Sequence, residues 1–230
     1  MTRRTVWTVL RTATRTSGEL MIAFGMIVLL FAAYEVWGVG AQVSAHQNDL
    51  SNQLDQAWSP PPSAVAPSAS PVPTEPPTAG SPIAKLYIPK IKPESSWVVV
   101  EGTGLDDIRY APGHYPETAM PGDIGNFSVA GHRTLKIFWN LDKLQAGDQI
   151  VVETRDHWFV YETTDSQVVS PTARSVIAPV PNKPGETPTQ AMVTLTTCNP
   201  KGQNYQRLIV HGVLTEQLSH EMGPPTGVTG

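Results

Sequence analysis

The chain has 230 residues, of which 40% are hydrophobic and 16% charged, and a formal net charge of −4. No basic stripe appears in its later two-thirds, so there is no case for nucleic acid as a partner. A single cysteine, Cys198, excludes an internal disulfide and any zinc cluster of several thiolates.

Residues 1–19 carry Arg3, Arg4, Arg11 and Arg15, and an apolar run then extends from Leu20 to Gly40. A spanning helix needs about 20 apolar residues at a rise of about 1.5 Å each, so residues 20–40 are expected to form a transmembrane anchor. Glu35 is tolerable near an interface, where Tyr34 and Trp37 are the enriched aromatic types. No Lys or Arg follows until Lys85, which places the N-terminus in the cytoplasm and the rest outside. This predicts a single-pass protein of the cell membrane, with the lipid bilayer as its first partner. The competing reading is a cleaved signal peptide ending near Val43-Ser44-Ala45; an apolar region longer than the usual signal core favours a retained anchor.

Residues 41–82 divide in two. Ala41 to Trp58 is polar and predicts a short helical stalk, whereas Ser59 to Pro82 is Pro, Ala and Ser with almost no charge. Such a segment cannot bury a core and favours extended structure, so a spacer holding the domain off the bilayer is expected. Residues 83–218 form the folded domain. Strand candidates are Ile83–Ile88, Trp97–Glu101, Phe127–Ala130, Gln149–Glu153, Trp158–Thr163, Gln167–Val169, Met192–Thr197 and Arg207–Leu214. Short, β-branched-rich runs separated by Gly, Pro and Asp argue an all-β barrel or sandwich, with one short helix over Leu135–Leu144 that exposes Asp142 and Lys143. Residues 219–230 read as a disordered tail. Within it, Gly223-Pro224-Pro225-Thr226-Gly227 lacks a leading leucine, and the tail is expected to be dispensable and uncleaved.

The chemistry concentrates in Thr194-Leu195-Thr196-Thr197-Cys198-Asn199-Pro200 and the run that begins at Tyr205-Gln206-Arg207. Side-chain alternation places Cys198 with Met192, Thr194 and Thr196 on one face of a strand. Asn199-Pro200-Lys201-Gly202 is a turn, so the return strand brings Arg207 opposite, in a hairpin. A lone cysteine is by default a packing residue. What points beyond packing here is the arginine and a histidine, His132, exposed after a short apolar strand in Ser128-Val129-Ala130-Gly131-His132-Arg133. A thiol attacks a carbonyl as thiolate, and Arg stays protonated, so Arg207 suits an oxyanion while His132 suits proton transfer to a departing amine.

Together these segments resemble the sortase family: Thr-Leu-X-Thr-Cys, Ala-Gly-His-Arg, and an arginine nine residues past the cysteine, over roughly residues 83 to 215. The resemblance implies a closed β-barrel of about eight strands and a cysteine transpeptidase whose thioester is resolved by an amine. Ile108-Arg109-Tyr110-Ala111-Pro112-Gly113-His114-Tyr115-Pro116, with Gly122-Asp123-Ile124-Gly125-Asn126 and Phe138-Trp139-Asn140-Leu141, is similar to class E, the housekeeping type of high-GC Gram-positive bacteria. That implies secreted proteins with C-terminal sorting signals as substrates, Leu-Ala-X-Thr-Gly in preference to Leu-Pro-X-Thr-Gly. The acceptor would be the amine of lipid II or of a peptidoglycan stem peptide. Cys198, His132 and Arg207 are the expected catalytic residues, and Tyr110, His114, Thr196 and Thr197 the expected substrate contacts.

Of the other histidines, His46 and His220 are expected to be solvated, His157 opens a strand, and His211 reads as a satisfied structural group. No cofactor and no metal site is expected; Asp106, Asp107 and Glu117 are scattered acids. Two alternatives remain open. An L,D-transpeptidase is also a β-rich Cys/His/Arg enzyme, but usually carries Gly-Cys beside an Arg, unlike Thr197-Cys198. The other is a non-catalytic membrane-tethered β-domain with Cys198 in its core.

Overall fold

A computed structural model of the chain describes residues 3–34, 38–59, 76–92 and 95–228. Residues 1–42 form one unit and residues 43–230 a second. In the first, helix α1 (Arg3–Ala33) contains Ala13–Ala33, a stretch long and apolar enough to cross a membrane. Its side chains from Leu20 to Phe31 stand largely exposed. The described helix reaches Ala33, and Val39 opens the next one. Glu35 and Trp37 lie outside the described residues.

The second unit is a closed barrel. Its strands are β1 (Pro82–Tyr87), β2 (Ser96–Glu101), β3 (Gly113–His114), β4 (Gly125–Gly131), β5 (Gln149–Glu153), β6 (His157–Val169), β7 (Ala191–Asn199) and β8 (Gln206–Ser219). They close in the order β1-β2-β3-β4-β7-β8-β6-β5. Alternation sends Leu86, Val99, Phe127, Val129, Val152, Tyr161, Val193, Leu195, Leu208 and Val210 into one core. The expected strands Trp158–Thr163 and Gln167–Val169 are one strand, β6, whose register against β8 shifts at Val160/Tyr161 and Thr163/Asp165. The two-residue β3 is too short to show alternation and escapes a reading of pattern. The helix expected over Leu135–Leu144 is only a 3₁₀ turn, Leu141–Lys143. Ile137, Phe138, Leu141 and Leu144 are all buried, so this loop is held by its core contacts and needs no helical repeat.

Helix α2 (Val39–Trp58) does not stand free as a stalk. Its Leu50 and Leu54 pack with Val98, Val100 and Ala111 on the outer face of β2. Gln47 accepts from the Val98 backbone N–H at 2.6 Å and donates to the Tyr110 carbonyl at 3.2 Å. Asp55 pairs with Lys85 at 2.7 Å. Val43, Gln47, Leu50, Leu54 and Trp58 fall at helical spacing, a stripe that the polar composition of the segment conceals. Residues 60–75 of the expected spacer lie outside the described residues. The segment nevertheless joins two pieces of one unit, since both α2 and β1 lie on the barrel.

The C-terminal residues differ from the expected disordered tail. β8 runs to Ser219, Pro225 is buried, and Val228 packs with Tyr87, Trp158 and Leu218. His220, expected in solvent, stacks on Trp158 at 5.1 Å and meets the Glu153 carboxylate at 3.0 Å. His46 packs against the Tyr110 ring at 5.6 Å.

Candidate active site

The site is built by register. β4 and β7 run parallel, with Gly131 opposite Thr197, so His132 and Cys198 are the next residues out on neighbouring strands. β7 and β8 run antiparallel, and Cys198 sits directly opposite Arg207. The three therefore form a row across one end of the barrel. Val193 and Leu195 point into the core, so Thr194, Thr196 and Cys198 lie on the outer face of β7, and Arg207, paired with Cys198, shares it. Thr197 points inward and donates to the Gly131 carbonyl at 2.8 Å, fastening the two strand ends together.

Gly131 permits a close approach there. A Cβ at this position would lie 2.6 Å from the Phe138 ring, so only glycine lets the following loop fold under His132. Cys198 and His132 are both half-buried. Desolvation lowers the His132 pKa below its ordinary value of 6.5, so the ring is neutral at pH 7. Among the described residues its ring nitrogens make no hydrogen bond to a protein group, which leaves both available. The Arg207 guanidinium rests on the carbonyls of Asn204 and Gln206, at 2.7 and 2.9 Å.

Beside this row lies a cleft of about 300 Å³, lined among others by Tyr115, Glu117, Ile177, Thr196, Arg207 and Ile209. A more apolar hollow of about 300 Å³ shares Glu117 and Ile177 with it and continues over Ala119, Ile124, Pro179 and Pro188. The outer wall of both is the β6–β7 connection, which buried polar groups hold in place. Asn126 donates to the Ala178 carbonyl at 3.0 Å and accepts from Thr194 at 2.7 Å. Thr194 in turn lies 2.9 Å from Nδ1 of His211, whose Nε2 faces the Gln167 amide at 3.1 Å. Burial lowers the His211 pKa, against a smaller opposing effect of Asp165. His211 is thus the satisfied structural group that its strand position suggested.

The expected substrate contacts fare unequally. Thr196 lines the cleft and bonds the Tyr115 hydroxyl at 3.2 Å. Thr197 does not, because it faces the interior. His114 does not either. It is 1% exposed, its Nδ1 lies 2.8 Å from the buried Glu101 carboxylate, its Nε2 meets Thr118, and its ring stacks on Phe127. Tyr110 packs against His46 of α2 and is not among the cleft-lining residues. Tyr115, one residue on from His114, occupies the place expected of His114, since neighbouring strand residues point to opposite faces. Arg174, Val176 and Ile177 were also missed; the signal was a 21-residue connection between β6 and β7, a length that in a small domain usually marks function. Among the described residues no cluster of His, Cys, Asp or Glu could hold a metal. A hollow of about 280 Å³ under α2, lined by Gln47, Lys85, Trp97 and Lys136 among others, shares no residue with the cleft.

A model of the sortase domain matches residues 86–215. Sortase SrtE1 of Streptomyces coelicolor is 35% identical over 223 residues, covering 93% of this chain and 60% of that protein. Sortase SrtE2 of the same organism is 29% identical, with 90% and 85% covered. Among solved structures, SrtA sortase from Actinomyces oris gives a TM-score of 0.64 at 36% identity, covering 68% of this chain and 96% of that one. Sortase E1 from Streptomyces coelicolor, solved with a tripeptide in its active site, gives 0.60 at 37% identity, covering 65% and 98%. The barrel is that of a transpeptidase family. The chain belongs to the sortases and is of class E type.

Proposed function

We propose that the protein is a membrane-anchored transpeptidase that cleaves a C-terminal sorting signal between Thr and Gly and transfers the acyl group to an amine of the cell-wall precursor. The observation that carries this reading is the register. A thiol lies opposite a guanidinium on β7 and β8, the imidazole follows the last β4–β7 pair, and the guanidinium lines the cleft beside them.

The neutral His132 takes the Cys198 proton as sulfur attacks the Thr carbonyl carbon. The C=O electron pair moves onto oxygen, and Arg207 swings its fork of donors from the Asn204 and Gln206 carbonyls to that oxyanion. The intermediate collapses, the C–N bond breaks, and the imidazolium gives its proton to the departing Gly amine. A thioester remains on Cys198. An incoming amine, deprotonated by His132 as it attacks, forms the new amide and releases the thiol, which regains the proton. Burial lowers the His132 pKa, which favours the neutral ring that accepts the proton.

The apolar hollow beside the cleft suits the leading leucine of a signal, and the cleft floor at Thr196 suits the residues nearer the cut. The preference for Leu-Ala-X-Thr-Gly rests on the class E likeness; Tyr110 contributes to it through the loop it anchors on α2. Supplying both pentapeptides with an amine acceptor tests the reading. Amide exchange at Thr, faster with the Ala peptide, is the expected result. Hydrolysis without exchange, or cleavage of neither peptide, would contradict it. The exposed apolar helix supports anchoring in the cell membrane, and Arg3, Arg4, Arg11 and Arg15 support a cytoplasmic N-terminus.

A further inference from the structure

Arg133 is among the most deeply buried charged groups in the barrel unit, with its side chain 3% exposed, yet it follows the half-buried His132 directly. A buried guanidinium is costly unless its donors are met, and the partners here are unevenly drawn. Nη1 donates to Oδ1 of Asn199 at 2.6 Å and to the carbonyl of Cys198 itself at 3.4 Å. Nη2 pairs with the Asp142 carboxylate at 3.1 Å, and Nε reaches the Trp139 carbonyl at 3.5 Å. Asp142 is held in turn by Lys201 at 3.2 Å, and Lys201 lies over the Trp139 ring at 5.3 Å. Burial alone would raise the Asp142 pKa, but its bonds and charge contacts with Lys201 and Arg133 hold it below the usual carboxylate range.

One side chain therefore ties together two segments that sequence keeps far apart, the β4 end with the base and the β7 end with the nucleophile. Thr197 fastens the strands one row further in; beyond the last ladder pair, Arg133 follows His132 in the chain and bonds the Cys198 carbonyl. We propose that Arg133 is a positioning residue that sets the Cys198–His132 spacing through the Cys198 carbonyl and the Asn199 side chain. The proposal rests on the transpeptidase reading for its consequence, though not for its geometry. Lysine in its place would keep the charge but could not reach Asn199 and Asp142 at once, because a single ammonium lacks the planar fork. Displacement of reacting groups by about 1 Å can cost about 100-fold.

The test compares the wild type, Arg133→Lys and Asn199→Ala, which removes the shortest of the bonds and leaves Arg133 its other partners. Peptide turnover is expected to fall about 30-fold or more in kcat for Arg133→Lys, and less for Asn199→Ala, with KM changed by less than about threefold. Alkylation of Cys198 by iodoacetamide, followed against pH, reads the thiol–imidazole contact without any substrate. In both variants the rate of alkylation should fall at each pH, because a displaced His132 no longer takes the thiol proton. A variant that folds with reduced Tm but keeps the wild-type kcat and alkylation profile would show a merely structural arginine and overturn the proposal. If Arg133→Lys does not fold, Asn199→Ala decides on the same two readouts. Failure of the wild type to process any sorting peptide would overturn the transpeptidase reading, while the alkylation arm would still decide the role of Arg133.

Discussion

Two Gly-His pairs lie on neighbouring strands, and their surroundings are opposite. Gly113-His114 makes up β3, and Gly131-His132 stands where β4 ends, with Gly113 paired to Ala130 across the ladder. Each glycine is forced by close approach, since a Cβ at Gly113 would strike the Gly102 carbonyl and one at Gly131 the Phe138 ring. Beyond that they diverge. His114 has Glu101 on one nitrogen, Thr118 on the other and Phe127 against its face. His132 has open nitrogens and a thiol in the same row on the adjoining strand. A ring with both nitrogens engaged holds a loop; a ring with both free beside a thiol can move a proton. The dipeptide is the same and the partners decide.

That contrast can be broken most sharply by exchanging each histidine for glutamine. His132→Gln should lower kcat/KM about 10³-fold with little change in Tm, because general acid–base transfer is lost and nothing structural is. His114→Gln should do the reverse. Turnover should stay within about tenfold, while stability falls by about 1–3 kcal/mol as Glu101 loses a well-placed partner. The reverse pattern, with His114→Gln the inactive variant, would exchange the two roles. Next in size is Arg207→Lys, for which turnover should drop about 100-fold, since an ammonium cannot offer an oxyanion the paired donors of a guanidinium. Near-wild-type turnover would make Arg207 structural.

A smaller effect concerns the barrel wall. A chain beginning at Val43 and one beginning at Pro82 differ by α2, whose removal uncovers Val98, Val100 and Ala111. The shorter chain should lose about 2 kcal/mol, or roughly 4–8 °C in Tm, and equal melting of the two would show α2 to be idle. The smallest effect is in pH. His132 must be neutral to take the thiol proton, and its lowered pKa puts the acid limb of kcat/KM below the ordinary histidine value of 6.5. An acid limb above 6.5 would mean that the ring is stabilised as imidazolium and that desolvation is not the controlling influence. His211, also lowered, acts on stability with the same sign. Above 6.5 neither the folded nor the unfolded state binds the proton; as pH falls below it, the unfolded state binds one that the fold resists, and stability drops.

The hairpin bearing Cys198 and Arg207 was legible because everything that defines it is local: alternation from Met192 to Thr197, a turn at Asn199-Pro200, and a return strand. Most of the strands were legible for the same reason, but not the two-residue β3 or the continuity of β6. The parallel pairing of β4 with β7 was not, because it joins residues more than 60 positions apart and leaves no mark in either strand. Alternation already set Thr197 on the face away from Cys198, but nothing local showed that His114 turns inward to Glu101 while Tyr115 lines the cleft. The docking of α2 left a trace, the stripe from Val43 to Trp58, but its buried positions are few and the stripe is interrupted by the polar Gln47, which bonds backbone at Val98 and Tyr110. Arg133 left no trace either, since its partners come together only when the strand ends do.

Whether the sulfur of Cys198 carries the acyl group is decided by trapping that group. The protein would be mixed with excess Leu-Ala-X-Thr-Gly peptide without an amine, quenched in acid, weighed intact and mapped by fragmentation. The expected result is a gain equal to the peptide through Thr, placed on Cys198, released by hydroxylamine and absent in Cys198→Ala. An adduct on another residue, or an adduct that survives Cys198→Ala, would contradict it.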